Sequence, residues 1–452
     1  MDLSGKKVLV VGAGISGFAS AELTKKMGAD VVLSDAKEEK AINHDFTPLR
    51  AAGIGLAFGK QEFSQLDGVD AVIVSPAVPE RVPLIQEAYR RKIRVLTEVE
   101  LAYDLAESPI CAVTGTNGKT TTVTLTGLLL KAHFDNVGVG GNIGVPLSEE
   151  ALRVGKGGWI TAEISSYQME ATKNFHPHIA AELNVTPDHI VRHGSMDVYQ
   201  AMKERMFAEQ TKEDFLVLNY DNERTRSMKA RAHGRVCYFS RQVLLDEGAF
   251  VRDGKIVIAW DGKEYEICKT DELGIKGPHN VENALAACAC AFFAGVSPAE
   301  MVPVLTSFRG VEHRIEYVRD VDRVPYYNDS KATNTDSAIK ALETFHHIVL
   351  IAGGDDKMTD LTDFMTLVKE RVDALILVGA AAARFRENAV KLGYPEAQIF
   401  DVGYSMDKAV AKAHELAHDG QTVLLSPACA SFDMYSCFEE RGEDFKRLVN
   451  AL

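Results

Sequence analysis

Two glycine-rich segments have the residue types and spacing to cradle phosphate. The first, Gly12-Ala13-Gly14-Ile15-Ser16-Gly17, directly follows the apolar run Val8–Val11 and matches G-x-G-x-x-G. Glycines there permit a tight turn and let a pyrophosphate approach the backbone at a helix N-terminus. Asp35 closes the next apolar run, Val31–Ser34, at the spacing of a ribose-binding acid. The second, Thr114-Gly115-Thr116-Asn117-Gly118-Lys119-Thr120-Thr121, follows Ile110–Val113 and resembles a Walker A loop. It departs from the general form in having Val113 at the position of the first glycine. In that pattern backbone N–H groups hold phosphates, Lys119 reaches the outer phosphate oxygens and Thr120 meets Mg2+. A dehydrogenase would leave the second loop idle, and a P-loop motor would leave the first idle. Two such sites on one chain point to two nucleotide-bearing substrates: ATP on the Lys119 loop, and a nucleotide diphosphate handle on the other.

Other candidates stand where apolar runs end. Glu163 closes Trp159–Glu163, and a carboxylate beside a P-loop strand suits Mg2+, a hard cation that prefers oxygen. Asp188 and His189 follow a further apolar run, at the edge where α/β sheets bind ligands. Tyr199 and Lys203 are i,i+4 on a predicted helix Val198–Glu209 and share a face. Gly277-Pro278-His279-Asn280-Val281-Glu282-Asn283 opens an Ala-rich helix, with its amides either capping the helix or meeting an adenine or ribose. In the last third, three loops follow β-type runs: Asn328 to Asn334, Gly353 to Lys357, and Ser426 to Asp433. If they gather on one sheet edge, Lys331 and Lys357 make a locally positive pocket.

The elements that must position these residues alternate short β-branched runs with helical stretches. Val8–Val11, Val31–Ser34, Ala71–Ser75, Ile110–Thr114, Trp159–Ile164, Phe215–Asn219, Ile348–Ala352, Ala374–Val378 and Thr422–Leu425 read as strands. Their continuous apolar character predicts parallel sheets covered on both faces, built from βαβ units. The stretch 235–273 differs, because Asp253-Gly254 and Asp261-Gly262 separate β-type residues and predict antiparallel hairpins. The chain has 452 residues, which at roughly 150 per domain suggests about three domains. The reading is therefore an α/β chain with boundaries near Glu98 and Gly310, giving 1–98, 99–309 and 310–452.

Composition narrows the function classes. Apolar residues are 46% and charged residues 25%, which excludes a disordered or fibrous chain. Fifty Lys and Arg against 64 Asp and Glu give a net charge of −14, which argues against nucleic acid or an anionic membrane as partner. The seven cysteines include no C-x-x-C, so reduced thiols in a cytoplasm fit better than a disulfide framework or a zinc site. The N-terminal residues lack a signal-peptide pattern, and the longest weakly polar run, Ala284 to Val296, is too short to span a bilayer.

Taken in order, these motifs resemble the Mur ligases over nearly the whole chain. The resemblance rests on the Thr114–Thr121 loop, Gly141-Asn142-Ile143-Gly144, Glu163-Ile164-Ser165-Ser166, Asp188-His189, Gly277-x-His279-Asn280-x-x-Asn283, His313-Arg314-x-Glu316 and Asp329-Ser330-Lys331-Ala332-Thr333-Asn334. The first loop resembles members with a short N-terminal UDP domain. The ending, Ser426 to Asp433 and then Phe438-Glu439-Glu440-Arg441-Gly442, resembles members that add D-glutamate to UDP-N-acetylmuramoyl-L-alanine.

The resemblance implies a UDP-binding domain, an ATPase domain and a mobile C-terminal Rossmann-like domain. It places Ile15, Ser16, Asp35, Ala36, Ser75 and Asn142 near the UDP-linked substrate. It places Gly115, Thr116, Asn117, Gly118, Lys119, Thr120, Thr121, Asn280, Arg314 and Asp329 around ATP. Thr120, Glu163, His189 and Lys203 match positions near Mg2+, Lys203 as the family's carbamylated lysine; with Lys119, the last three form the catalytic set. Lys331, Thr333, Lys357, Ser431, Phe432 and Phe438 match positions around D-glutamate. A monomer in cytoplasmic peptidoglycan precursor synthesis is the corresponding expectation. The alternative is another Mur-type or a folylpolyglutamate-type amide ligase. Two departures are visible: Val191 stands where relatives often carry Asp, and Ala77 replaces a common Gly after Ser75-Pro76.

Overall fold

The computed structural model describes residues 3–42, 44–188, 190–356 and 360–452, without the side chains of Val191 and Asp336. His189 and Lys357, both singled out above, lie outside the described residues. Among these residues the strands build three sheets, and the chain divides into two compact units, Met1–Phe308 and Arg309–Leu452.

The first unit holds two of the sheets. One has five parallel strands in the order Gly55–Phe58, Asp30–Asp35, Lys7–Val11, Ala71–Val74, Arg94–Thr97. Its order reverses beside Lys7–Val11, so a crevice opens there at the strand ends, where the first glycine loop lies. The other sheet has nine strands, and Ile110–Thr114 lies between Trp159–Glu163 and Ile179–Glu182. All three of these strands are buried along their full length, as the continuous apolar runs require. Helix Glu98–Leu105 joins the two cores: Val99 and Ala102 pack into the central one, Leu101 into the first. Glu98 accepts from Ser148 N at 2.7 Å and Glu100 from Asn174 N at 3.0 Å, so this joint is also hydrogen-bonded.

The predicted hairpins form from Gly248–Arg252, Lys255–Trp260 and Lys263–Lys269. Asp253, Gly254, Asp261 and Gly262 have φ of 50°, 72°, 49° and 72°, so both turns have two left-handed central residues, the twist that suits tight hairpins. Arg235–Ser240, inside the same stretch, is not part of a hairpin: it pairs in parallel with both Phe215–Asn219 and Gly248–Arg252. Helix boundaries also shift. One helix begins at Lys119, directly after the loop, and the helix predicted to Glu209 ends at Glu204 before a 3-10 turn.

The second unit is built on six strands in the order Glu316–Val321, Val324–Asn328, Thr422–Leu425, Ile348–Gly353, Val372–Val378, Ile399–Asp401. All pairs are parallel except the first. Val324–Asn328, Thr422–Leu425 and Ile348–Gly353 are neighbours, so the three loops that follow them leave the same sheet edge. Asp355 and Ala430 exchange backbone bonds of 3.0 and 3.1 Å, tying two of those loops together.

Candidate active site

In the first unit the P-loop is fixed by steric fit before any ligand is considered. Gly115 and Gly118 have φ of +155° and +83°. A Cβ on Gly118 would lie 2.3 Å from Asn283 Oδ1, and one on Gly115 would lie 2.9 Å from Leu183 Cβ. Glycine is thus required by packing as well as by backbone angle. Asn283 belongs to helix Pro278–Ala294, whose Ala-rich face is buried from Asn283 to Ala291. Asn283 accepts from Thr122 Oγ1 at 3.3 Å and donates to Asn280 Oδ1 at 3.0 Å. Asn280 in turn donates to Lys276 O at 2.7 Å, so the amide pair braces the loop from behind. The other side is held by Asn184, which accepts from Asn117 N at 2.8 Å, and by Thr186, whose N–H donates to Thr116 Oγ1 at 3.0 Å.

Predicted residues from several elements converge at this loop. Glu163 is 2% exposed; it accepts from Thr120 Oγ1 at 2.8 Å and from Asn142 Nδ2 at 2.9 Å. Both donors are neutral, a hydroxyl and an amide. Lys119 Nζ folds back to Gly115 O at 3.0 Å and Thr116 O at 2.8 Å. Lys203 is 1% exposed and donates to Thr114 Oγ1 at 3.2 Å and Gly115 O at 2.8 Å. Its ammonium lies 4.8 Å over the Tyr199 ring, and the Tyr199 hydroxyl is 3.1 Å from Thr116 Oγ1. The i,i+4 pair therefore does share a face, and that face meets the P-loop. Burial, with repulsion from Lys119, pulls the Lys203 ammonium down to about 7.

Sequence reasoning did not single out Glu182. It pairs in register with Thr114, so both side chains leave the same face of the sheet, the face on which Lys203 bonds Thr114. Glu182 is fully buried, neither carboxyl oxygen has a hydrogen-bond partner among the described residues, and burial pushes its carboxyl up to about 8. The only signal in the sequence was an acid closing an apolar run, the same signal that marked Glu163.

The first glycine loop is equally tight. A Cβ on Gly17 would lie 1.8 Å from Gly12 O, and one on Gly12 would lie 2.7 Å from Ser75 Cβ. Asp35 accepts from Ala13 N and from Lys37 N, both at 2.8 Å, and so braces the loop from the next strand end. Ile15 is 67% exposed at the helix start, Ser16 is half-buried and Ala36 is exposed.

The remaining predicted residues belong to the second unit. Asp329 is buried; it accepts from Ser426 Oγ at 2.7 Å and Ile315 N at 3.2 Å, and burial pushes it up to about 7 although Arg314 opposes this. Lys331 Nζ lies 5.8 Å from the Phe438 ring centre. Thr333 is half-buried, Ser431 is buried and Phe432 is 71% exposed. The loops carrying these residues are joined by Arg441, quoted above in a motif but given no role. Among the described residues, one group has metal-ligand spacing outside the predicted sites: Glu312, His313 and Glu443. Lys446 already neutralises its two acids at 2.6 and 2.7 Å.

A parallel sheet carrying a P-loop, a buried glutamate beside it and an α/β unit with loops massed on one sheet edge define a nucleotide-using α/β enzyme. Sequence models of the Mur ligase MurD-like N-terminal domain, the Mur ligase middle domain and the Mur ligase glutamate ligase domain match residues 6–97, 113–291 and 313–429. The chain is 44% identical to the UDP-N-acetylmuramoylalanine–D-glutamate ligase of Thermoanaerobacter pseudethanolicus over 100% of both chains. It is 47% identical to the protein of the same name from Pelotomaculum thermopropionicum, over 100% of this chain and 99% of the other. Among solved structures it is similar in fold to the UDP-N-acetylmuramate-alanine ligase MurC of Thermotoga maritima, with TM-score 0.58, 20% identity and 99% of both chains covered. MurF of Acinetobacter baumannii aligns with TM-score 0.60 and 17% identity over 97% of this chain and 93% of that one. The chain belongs to the Mur ligase family of ATP-dependent, ADP-forming amide ligases.

Proposed function

We propose that this chain joins D-glutamate to UDP-N-acetylmuramoyl-L-alanine at the expense of ATP, in peptidoglycan precursor synthesis. The observation that carries this reading is full-length identity of 44–47% to ligases of that name. The loops at one sheet edge of the second unit and the P-loop of the first are compatible with it. Phosphate release with D-glutamate against a panel of other amino acids tests it.

In the proposed reaction the alanine carboxylate attacks the γ-phosphorus of ATP, ADP leaves, and an acyl phosphate forms. Lys119 leaves its two loop carbonyls for the phosphoryl oxygens, where its charge offsets the charge that builds there. The D-glutamate amine then attacks the acyl carbon, phosphate leaves, and the amine proton passes to solvent or phosphate. Thr120, Glu163, His189 and Lys203 are the residues proposed to hold Mg2+. Glu163 fits by its buried, neutrally bonded carboxylate, and Lys203 fits after carbamylation turns a cation into an anion. Bound there, Mg2+ would neutralise charge on the phosphates. Asn280, Arg314 and Asp329 are assigned to the nucleotide. Ile15, Ser16, Asp35, Ala36, Ser75 and Asn142 are assigned to the UDP-linked substrate. Lys331, Thr333, Lys357, Ser431, Phe432 and Phe438 are assigned to the amino acid.

Domain limits of 1–98, 99–309 and 310–452, a monomeric state and a cytoplasmic location complete the proposal. The seven free cysteines support a reducing compartment. Among the described residues, no helix is long and apolar enough to cross a membrane.

A further inference from the structure

Arg441 is 2% exposed, yet among the described residues no carboxylate bonds its guanidinium. It donates from Nε to Ser330 Oγ at 2.9 Å and from Nη2 to Ser330 O at 2.8 Å. It also donates from Nη1 to Ala430 O and from Nη2 to Cys429 O, each at 3.1 Å. Ser330 Oγ in turn donates to Phe438 O at 2.8 Å. One rigid fork thus ties together two loops and a helix start, each from a separate part of the second unit. Residues next in sequence to its acceptors are Lys331 on one loop and Ser431 on the other. The space is narrow as well, because a Cβ on Gly354 would lie 3.1 Å from Arg441 Nη1 and 2.4 Å from Ala430 O.

Burying a charge among neutral acceptors is costly, and an apolar side chain of similar volume would fill the space without that cost. Burial lowers the Arg441 guanidinium only to about 10, so it remains a cation at neutral pH. Asp433 and Asp329 act on it through space, and neither is hydrogen-bonded to it. The positive charge therefore lies beneath loops that also carry Lys331, an arrangement complementary to an amino acid with two carboxylates.

We propose that Arg441 is a positioning residue for the acidic amino-acid substrate: it sets the spacing of the Ser330–Lys331 and Cys429–Ser431 segments and adds positive charge beneath them. The inference rests on the ligase reading above for the identity of that substrate. It predicts a selective defect, in which Arg441 governs the amino-acid KM and leaves the ATP and UDP-substrate KM values alone.

The test compares Arg441→Met, Arg441→Lys and Ser330→Ala with the wild type, each first checked by thermal unfolding. Folded Arg441→Met should raise the amino-acid KM by about 30-fold, the value of one lost charge-assisted hydrogen bond of about 2 kcal/mol, with the other two KM values within about 2-fold. Arg441→Lys, which keeps the charge and loses the fork, should recover only part of this. Ser330→Ala, which removes one acceptor and preserves the arginine, should raise the same KM by about 5-fold and covers the case in which Arg441→Met does not fold. Equal rises in all three KM values, or an unchanged amino-acid KM in folded Arg441→Met or in Ser330→Ala, would overturn the proposal. The wild-type amino-acid panel is run first. A wild type that turns over a different amino acid sinks the D-glutamate reading alone, and the variants are then scored on the amino acid it uses.

Discussion

Lys119 and Lys203 donate to the same acceptor, the Gly115 carbonyl, at 3.0 and 2.8 Å. Two cations on one carbonyl repel, and the cost falls on the buried one, Lys203. The arrangement is relieved when Lys119 moves to a phosphate or when Lys203 loses its positive charge. Both changes are the ones that the proposed reaction requires.

Lys119→Ala should lower turnover by on the order of 10²–10³-fold, because one preorganised donor to a charged transition state is removed. The same change should leave the chain folded, because relief of the repulsion on Lys203 offsets the lost bonds to loop carbonyls. Phosphate release and thermal unfolding measure the two. Wild-type turnover in the variant would remove Lys119 from the mechanism.

Lys203 should take up CO2 as its neutral amine. With its ammonium lowered to about 7, the neutral fraction rises as pH goes from 6 to 8. Enzyme depleted of CO2 should therefore regain activity faster at pH 8 than at pH 6 when the two are compared at equal dissolved CO2. Lys203→Ala should lose on the order of 10²-fold, partly restored by formate or acetate. Full activity without rescue would end the carbamate assignment.

Glu163→Gln should raise the Mg2+ concentration needed for half-maximal rate by about 10-fold, because the carboxylate charge goes while the side-chain shape stays. A magnesium titration reads this. An unchanged midpoint would place the ion elsewhere.

Glu182 should make stability depend on pH. Its folded carboxyl is raised to about 8 from an ordinary 4.5, so the unfolded chain ionises first. Its contribution is fully present below about 4.5 and is lost as pH rises through about 8. Glu182→Gln should remove that slope, so the variant gains on the wild type by a few kcal/mol, to order of magnitude, between pH 5 and pH 8. Unfolding curves whose difference does not change with pH would contradict it.

Much of the fold was legible because parallel strands buried on both faces must be continuously apolar, and Ile110–Thr114, Phe215–Asn219 and Thr422–Leu425 are found at their predicted limits. Strands such as Gly55–Phe58 and Val137–Gly141 escaped notice. The first is a half-exposed edge, and the second is mostly glycine, where close neighbours leave no room for side chains. The P-loop was legible from residue type and spacing, Glu163 was marked only as an acid closing an apolar run, and Lys203 gained its expected role from the family resemblance. Asn184 and Asn283, which brace the loop, acquire meaning only from tertiary contacts. Arg441 stood in a recognisable motif, but its acceptors, Ser330 and Cys429, come from distant parts of the chain.

The central claim is tested most directly by phosphate release from ATP with UDP-N-acetylmuramoyl-L-alanine and each of D-glutamate, L-glutamate, L-alanine, L-lysine and meso-diaminopimelate. The account predicts sustained ADP and phosphate formation with D-glutamate and background rates with the rest. Equal turnover with another amino acid, or none with D-glutamate, would contradict it.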